Sequence, residues 1–132
     1  MTKVERSLED LEKVIQYNFS NRELLIEALT HSTYANEHRD TECHNERLEF
    51  VGDSVFGMMA ATILFKLFPD EPEGKLSQRR SRTVSNQALA EYAETLDLGD
   101  WLRMGHGQRD ASGKVPRSLL ADAMEALVGA VY

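Results

Sequence analysis

The chain has 132 residues, of which 42% are hydrophobic and 28% are charged, a composition typical of a globular protein with one core. Its one cysteine, Cys43, excludes an intrachain disulfide and favours a reducing, cytoplasmic compartment. The formal net charge of −7 argues against nucleic-acid binding, because phosphate contacts need lysine and arginine. The N-terminus lacks the apolar core of a signal peptide, and the apolar runs are shorter than the roughly 20 residues of a membrane span. We therefore expect no membrane role.

The first third of the chain predicts two helices and a loop. Apolar residues recur at helical spacing from Ser7 to about Tyr17, where Ser7 can be the N-cap and Asp10 its partner in a capping box. Asn21 can cap a second helix. Residues 30–44 have neither a helical nor a strand period, so we expect a loop there.

The rest of the chain also predicts helices. A dense apolar segment from Asn45 to about Phe68 predicts a buried central helix, which two prolines and a glycine end. Residues 75–96 predict one or two helices with a break near Val84, and Ser118 can cap a last helix that stays apolar to the final residue. We expect that this end either continues in a longer chain or docks on a partner. No segment alternates with period two, so the predicted fold class is all-α.

Three acids interrupt the central apolar helix in the segment NERLEFVGDSV, residues 45–55. At about 100° per residue, Glu46, Glu49 and Asp53 fall in one narrow stripe. Gly52 lies beside this stripe, where a missing side chain allows another backbone or a ligand to come close. For Glu46 alone, a surface acid near the positive end of the helix dipole is the simpler interpretation.

Asp122 and Glu125 share a face of the last helix, again within apolar sequence. Buried carboxylates repel one another and lose their hydration unless a cation accompanies them. Magnesium takes oxygen ligands from one or two carboxylates and completes its shell with water and phosphate. Two helices that present these acids together with Glu49 and Asp53 therefore predict a magnesium site for phosphodiester chemistry.

Four segments resemble one known family. NERLEFVGDSV is similar to the signature of the ribonuclease III endonuclease domain, and SLLADAMEALVGAVY is similar to the second acidic block of that family. EALTHSTYA before the signature and EGKLSQRRSRTVSNQALAEYA between the blocks are partial matches in the family's order. Residues 1–132 are thus identified as a ribonuclease III endonuclease domain. In the family this domain continues into a closing helix and a separate double-stranded-RNA-binding domain; we expect that residues 1–132 lack both and that the C-terminal end of the domain is truncated.

The resemblance implies an endonuclease that hydrolyses double-stranded RNA to 5′-phosphate and 3′-hydroxyl ends and processes ribosomal, messenger or small RNA precursors. It also implies a homodimer, with Mg²⁺ as the cofactor and Mn²⁺ as a substitute. Glu46 matches an accessory acid. Phe50 matches an aromatic residue that inserts into a pocket of the partner subunit, and an ordinary core position is the alternative. Asp53 and Glu125 match catalytic positions. The family's metal ligands correspond to four carboxylates: Glu49, Asp53, Asp122 and Glu125.

A basic stretch, KLSQRRSR at residues 75–82, contains no acid and places positive charge locally in an acidic chain. A-form RNA is recognised through its backbone and 2′-hydroxyls, so such a surface suffices without sequence readout. A solvated face that balances Asp70, Glu71 and Glu73 is the alternative interpretation. The RNA-binding candidates are Lys75, Arg79, Arg80, Arg82, Ser85 and Asn86.

Other functions are compatible with parts of the sequence. An all-α, magnesium-dependent nucleoside triphosphate pyrophosphohydrolase also pairs acids at i and i+3, and a non-catalytic RNA-binding module could keep the same fold. His38, Cys43 and His44 suggest zinc but lack a fourth ligand at metal spacing. His31 is more simply explained as a structural hydrogen bonder than as a base.

Overall fold

A computed structural model describes residues 7–39 and 43–132. These residues form helices and, apart from an isolated bridge between Thr30 and Arg103, no β-structure. The predicted all-α class is therefore confirmed. The elements in chain order are α1 (Leu8–Ile15), α2 (Arg22–Ala28), α3 (Ser32–Glu37), α4 (Glu46–Leu67), α5 (Glu73–Thr83), α6 (Asn86–Thr95), a 3₁₀ turn (Leu98–Trp101) and α7 (Arg117–Val131).

Side-chain caps explain where several helices begin. Ser7 and Asp10 form the predicted reciprocal capping box at α1, and the side chain of Asn21 caps α2. Ser85 caps α6, so the predicted break near residue 84 separates two helices. Each cap satisfies a backbone N–H that the first helical turn leaves without a partner.

Two boundaries differ from the prediction. The segment predicted as a loop at residues 30–44 contains helix α3, and residues 40–42 of that segment lie outside the described part of the chain. The side chain of His31 caps α3, but the helix has six residues and is too short for a clear sequence period. Helix α7 begins after Pro116, whose φ of −55° suits a helix start, and not after Ser118.

Helix α7 is the central helix of the described structure. It packs most extensively against α4, and α6 packs against it as well. The core around it contains the buried side chains of Leu25, Leu89, Trp101, Leu120 and Leu127. Apolar area removed from water contributes about 25 cal/mol per Å², so this cluster holds α2, α6 and α7 together.

The prediction that α4 is a buried helix is wrong in part. Gly52, Val55, Ala60 and Leu64 are the buried members of its 22 residues, whereas seven of its large apolar side chains are exposed. Apolar periodicity does not distinguish a surface that the chain itself buries from one that a partner covers. Four of these exposed side chains fall within about 100° of the helix, and we name them the apolar stripe: Phe50, Val51, Met58 and Phe65.

By length and composition alone, α4 is the one helix of the described residues that could cross a membrane. However, it packs along α7, and its first turns carry Glu46, Glu49 and Asp53. Three acidic side chains are tolerated more readily in a helix of a protein core than in a helix that spans a membrane. The absence of a membrane role stays a prediction.

Candidate metal centre

Four carboxylates meet where α4 packs against α7. Glu49 and Asp53 lie about one turn apart on α4, and Asp122 and Glu125 have a similar spacing on α7. Carboxylate oxygens of Glu49, Asp122 and Glu125 lie within 4.8 Å of one another. Asp53 joins the group through a hydrogen bond with the carboxyl of Glu125. The structure thus brings together the four acids that the sequence singles out.

Two glycines explain how the helices come so close. A Cβ atom on Gly52 of α4 would overlap with the backbone carbonyl of Glu125 on α7, and a Cβ atom on Gly129 would overlap with the carbonyl of Leu48. Because no side chain separates the backbones at these positions, the flanking acids of both helices face one space. Of the two roles predicted for Gly52, the close approach of another backbone or of a ligand, the structure shows the first.

The acids line an open space of about 560 Å³, which we name the acidic cleft. Glu46, on the first turn of α4, lies close enough for its charge to act on Glu49 and Asp122. Glu125 is buried, with 7% of its surface exposed, whereas Glu46 and Asp53 are exposed. The residues that line the cleft are Glu46, Glu49, Phe50, Asp53, Asp122 and Glu125.

Burial and mutual repulsion raise the pKa values of acids in the cleft. Burial, and then the negative charge of Asp122, raise the pKa of Glu49 to about 7. Burial, and then the charge of Asp53, raise the pKa of Glu125 to about 7. Burial also raises the pKa of Asp122, against the opposing effects of a hydrogen bond with Glu49 and the charge of His31. The fully charged cluster is therefore unfavourable, as expected for a site that a cation completes.

The donor set fits a hard divalent cation such as Mg²⁺. The converging donors are carboxylate oxygens, which Mg²⁺ prefers, and the open side of the cleft leaves room for water and a phosphate oxygen. A cation would also offset the repulsion that raises the pKa values. The cluster does not include His38, Cys43 or His44, the residues of the zinc alternative.

His31 lies at the edge of this site. Its Nδ1 atom accepts a hydrogen bond of 3.2 Å from the N–H of Thr33 and lies 2.7 Å from Thr33 Oγ1, so its predicted structural hydrogen bonding is confirmed. The ring also lies close enough to Asp122 for a positive charge on it to lower the pKa of that carboxyl. The family-like segment EALTHSTYA is the sequence signal for this position, but residue spacing cannot place His31, because it stands between α2 and α3.

The RNA-binding candidates lie on α5 and at the start of α6. Arg79 donates two hydrogen bonds of 2.6 Å to Glu71, and its Cζ atom lies 3.8 Å from the ring centroid of Phe68. Ser85 caps α6. These two side chains are thus engaged within the chain. The candidates that remain exposed are Lys75, Arg80, Arg82 and Asn86.

Phe50 is not a core residue, because 77% of its surface is exposed. The alternative of an ordinary core phenylalanine is therefore wrong. Phe50 borders the acidic cleft on one side and a second cavity, of about 650 Å³, on the other. That cavity is lined by Glu27 of α2 and by the first turns of α4.

Most of the chain is similar to known ribonucleases in sequence. The family described as Ribonuclease-III-like matches residues 21–132. Ribonuclease 3 of Syntrophotalea carbinolica is 47% identical over 123 residues, which are 92% of this chain and 53% of that protein. Ribonuclease 3 of Desulforamulus reducens is 44% identical over 133 positions, with coverage of 100% and 54%. The chain spans about half the length of these curated relatives.

Solved structures have the same fold. The nuclease domain of ribonuclease III from Campylobacter jejuni matches with a TM-score of 0.84 at 37% identity, over 96% of this chain and 82% of that chain. A second structure of that domain, described as showing flexibility in a region involved in dimer formation, gives a TM-score of 0.85 at 38% identity, with coverage of 95% and 84%. The helical fold implied by the resemblance is confirmed.

Proposed function

The chain belongs to the ribonuclease-III-like family, and we propose that residues 1–132 are the nuclease domain of an endonuclease that cleaves double-stranded RNA with Mg²⁺. The observation that carries the proposal is the convergence of Glu49, Asp122 and Glu125 in an open cleft. The pyrophosphohydrolase alternative is dropped, because the chain belongs to a different family.

The carboxylates of the acidic cleft have distinct proposed roles. Glu49, Asp122 and Glu125 would hold the ion, and Asp53 would complete the group through its contact with Glu125. Glu46 is an accessory acid that acts on the others through its charge. The chemistry that bound Mg²⁺ supplies is positive charge beside the scissile phosphate and acidification of a water. Mn²⁺, which also accepts carboxylate ligands, is expected to substitute.

The proposed reaction is hydrolysis of one phosphodiester. A water attacks phosphorus, the bond between phosphorus and the 3′ oxygen breaks, and this oxygen takes up a proton. The products are a 5′-phosphate and a 3′-hydroxyl. Because the pKa values of Glu49 and Glu125 are about 7, these acids give up protons when a cation binds near neutral pH.

Exposed cations on α5 support a duplex substrate. Lys75, Arg80 and Arg82 are exposed, and duplex RNA offers phosphates and 2′-hydroxyls without base readout. We expect this domain to bind the duplex weakly and in a salt-sensitive way, because its exposed basic side chains are few and its net charge is −7. The proposed compartment is the cytoplasm, because a chain with a single cysteine suits a reducing environment. The proposed role, processing of ribosomal, messenger or small RNA precursors, rests on the family resemblance.

A homodimer is the proposed assembly. The apolar stripe leaves Phe50 and Phe65 in water, with 77% and 71% of their surfaces exposed, and large exposed apolar patches mark interaction sites. In a two-fold dimer one patch faces its own copy. Phe50 of each subunit can then enter the cavity beside Phe50 of the other, as the family resemblance implies.

The test is cleavage of a perfect RNA duplex with Mg²⁺. We expect Glu125→Gln and Asp53→Asn to lower the rate by more than about 100-fold, because even changes behind metal ligands cost about 10- to 100-fold. Glu23→Gln, at an exposed acid on α2, should cleave like the wild type. Cleavage that survives either cleft substitution would overturn the assigned site. Duplex binding by the wild type without any cleavage would instead favour the non-catalytic module.

A further inference from the structure

Three side chains form a stack alongside α3. The Cζ atom of Arg103 lies 4.2 Å from the ring centroid of Tyr34. The ring of Tyr34 is in turn stacked on that of His38, with centroids 3.9 Å apart and planes 12° apart. All three residues are partly exposed. A guanidinium on an aromatic face is held in one orientation, and its N–H donors point outward from the edge of its plane.

The backbone that carries Arg103 is fixed at both ends. The N–H of Arg103 donates to the carbonyl of Leu29, and its carbonyl accepts from the N–H of His31, both at 2.8 Å. Two residues further on, the N–H of Gly105 donates to Thr33 Oγ1 at 2.9 Å. The position of Arg103 is therefore set before any ligand arrives, which reduces the entropy lost on binding.

The guanidinium of Arg103 is stacked on an aromatic ring and has no oxygen partner among the described residues, unlike three other arginines of the chain. Arg22 donates to Glu12, Arg79 donates to Glu71, and Arg109 donates to backbone carbonyls of residues 99 and 102. Within residues 7–39 and 43–132, the side chain of Arg103 makes its contact with Tyr34 and no hydrogen bond or ion pair. No acceptor within the described residues therefore uses the five N–H donors of the Arg103 guanidinium, and they are available to a ligand.

The stack adjoins the cleft through His31. The N–H of His31 donates to the carbonyl of Arg103, and the His31 ring lies close enough to Asp122, in the wall of the cleft, for a positive charge on the ring to lower the pKa of Asp122. The nearby carboxylate of Glu37 is engaged, because it accepts from the N–H of His106 at 2.9 and 3.1 Å. A guanidinium that is held in one orientation near the proposed phosphodiester site is suited to bind a second phosphate of the same strand or duplex.

We propose that Arg103, held on Tyr34 and His38, binds a backbone phosphate of the RNA duplex next to the scissile bond. The inference rests on the proposed function and adds a binding residue that lies outside the basic stretch of α5. Tyr34 and His38 act through Arg103 as positioning residues. Because the contact is to phosphate, it affects all duplex sequences alike.

The experiment measures cleavage of a duplex at several salt concentrations by the wild type, Arg103→Gln, Arg103→Lys and Lys13→Gln. We expect Arg103→Gln to raise KM by about 10-fold with kcat nearly unchanged, because it removes a contact that binds the ground state and the transition state equally. The slope of log(kcat/KM) against log[salt] should become shallower by about 1. Arg103→Lys should keep the slope with a smaller rise in KM. Lys13→Gln, at an exposed lysine of α1, should match the wild type.

A second variant separates binding from folding. Tyr34→Leu removes the ring but keeps the charge, so we expect a raised KM with the wild-type salt slope. Melting temperatures measured in parallel identify any variant that acts by unfolding. A folded Arg103→Gln with the wild-type KM and salt slope would overturn the role of Arg103 while duplex cleavage stands. A wild-type chain that neither binds nor cleaves the duplex would overturn both this inference and the proposed function.

Discussion

Glu49 and Glu125 connect the chemistry of the acidic cleft to the stability of the fold. The pKa of each is raised from 4.5 to about 7, first by burial and then by neighbouring acids. A carboxyl whose pKa is raised on folding stabilises the folded chain while it is protonated. That contribution is complete below pH 4.5 and is lost as the pH rises through about 7. A carboxyl in an ion pair shows the opposite dependence.

We predict that the melting temperature of the metal-free chain falls between about pH 5 and about pH 8, and that Mg²⁺ restores it most at the higher pH. A ligand that binds only the folded chain stabilises it by about 2.7 kcal/mol at 100 times its Kd. For a chain of this size the change amounts to several degrees. The measurement is thermal unfolding across this pH range, followed by circular dichroism, with EDTA or with Mg²⁺.

Glu125→Gln is the matched control, because the amide keeps the shape of the carboxyl without its charge. In EDTA near pH 8 this variant should be more stable than the wild type, and it should lose the response to Mg²⁺. A hydrogen bond from the backbone of Phe19 lowers the pKa of Glu12, so that acid changes stability only below about pH 4.5. If the melting temperature of the metal-free chain rose with pH, this would contradict the proposed repulsion between the carboxylates of the acidic cleft.

At the scale of elements, the site depends on the close contact between α4 and α7. Gly52 and Gly129 allow each backbone to reach the other, and Gly52 lies between Glu49 and Asp53 in the sequence. A side chain at Gly52 would push α7 away and would separate the acids of α4 from those of α7. The geometry of the candidate metal centre is therefore a consequence of helix packing.

We predict that Gly52→Ala destabilises the chain by about 1–3 kcal/mol, as overpacking usually does, and raises the Mg²⁺ concentration needed for cleavage. The added Cβ would overlap with the carbonyl of Glu125. Gly74→Ala on α5 is the control, because a Cβ there meets no atom within 4 Å. It should be neutral or stabilising by up to about 1 kcal/mol. Urea unfolding and a Mg²⁺ titration of cleavage measure both effects, and a Gly52→Ala chain that matches the wild type would refute the close contact.

The elements also show what local sequence determines. The starts of α1, α2 and α6 are predictable, because each cap is a contact within three residues. Helix α3 is not, since contacts that are distant in sequence hold it. Thr33 accepts from the N–H of Gly105, and Glu37 accepts from the N–H of His106. Hydrophobic periodicity carries no information about such contacts.

The same distinction applies to the site. Its four carboxylates are predictable, because they stand at helical spacing in two local segments. The position of His31 beside Asp122 is not predictable from spacing, because it depends on how the turn between α2 and α3 docks. The ion pair of Arg79 with Glu71 joins residues on either side of the α5 start. Periodicity also does not encode whether a partner covers the apolar stripe on α4.

At the scale of the whole molecule, the acidic cleft and the apolar stripe lie next to each other on α4. Phe50 belongs to the stripe and also lines the cleft. In the proposed dimer, a second copy that covers the stripe would therefore stand beside the metal centre. Assembly and chemistry are thus expected to depend on the same residue.

We predict that Phe50→Ala weakens dimerisation by at least about 30-fold, because an aromatic anchor in a pocket contributes about 2 kcal/mol or more. Phe65→Ala, at a phenylalanine of similar exposure in the same stripe, should have a smaller effect, since Phe65 does not border the cavity beside Phe50. Val14→Ala, on α1 and outside the stripe, should leave dimerisation unchanged. Sedimentation velocity over a range of protein concentrations measures the three dissociation constants.

The products of Phe50→Ala give a second measurement of the proposed assembly. Each subunit carries one acidic cleft, so a monomer can cut one strand at a time, whereas a dimer holds two clefts on one duplex. A monomeric Phe50→Ala should therefore yield nicked duplexes, visible as cuts on a denaturing gel but not on a native gel. A wild-type chain that stays monomeric at every concentration, or a monomeric variant that still makes paired cuts, would contradict the proposed dimer. If Phe50→Ala and Phe65→Ala instead weakened dimerisation equally, the binding energy would come from apolar burial along α4 in general and not from one ring anchored in a pocket.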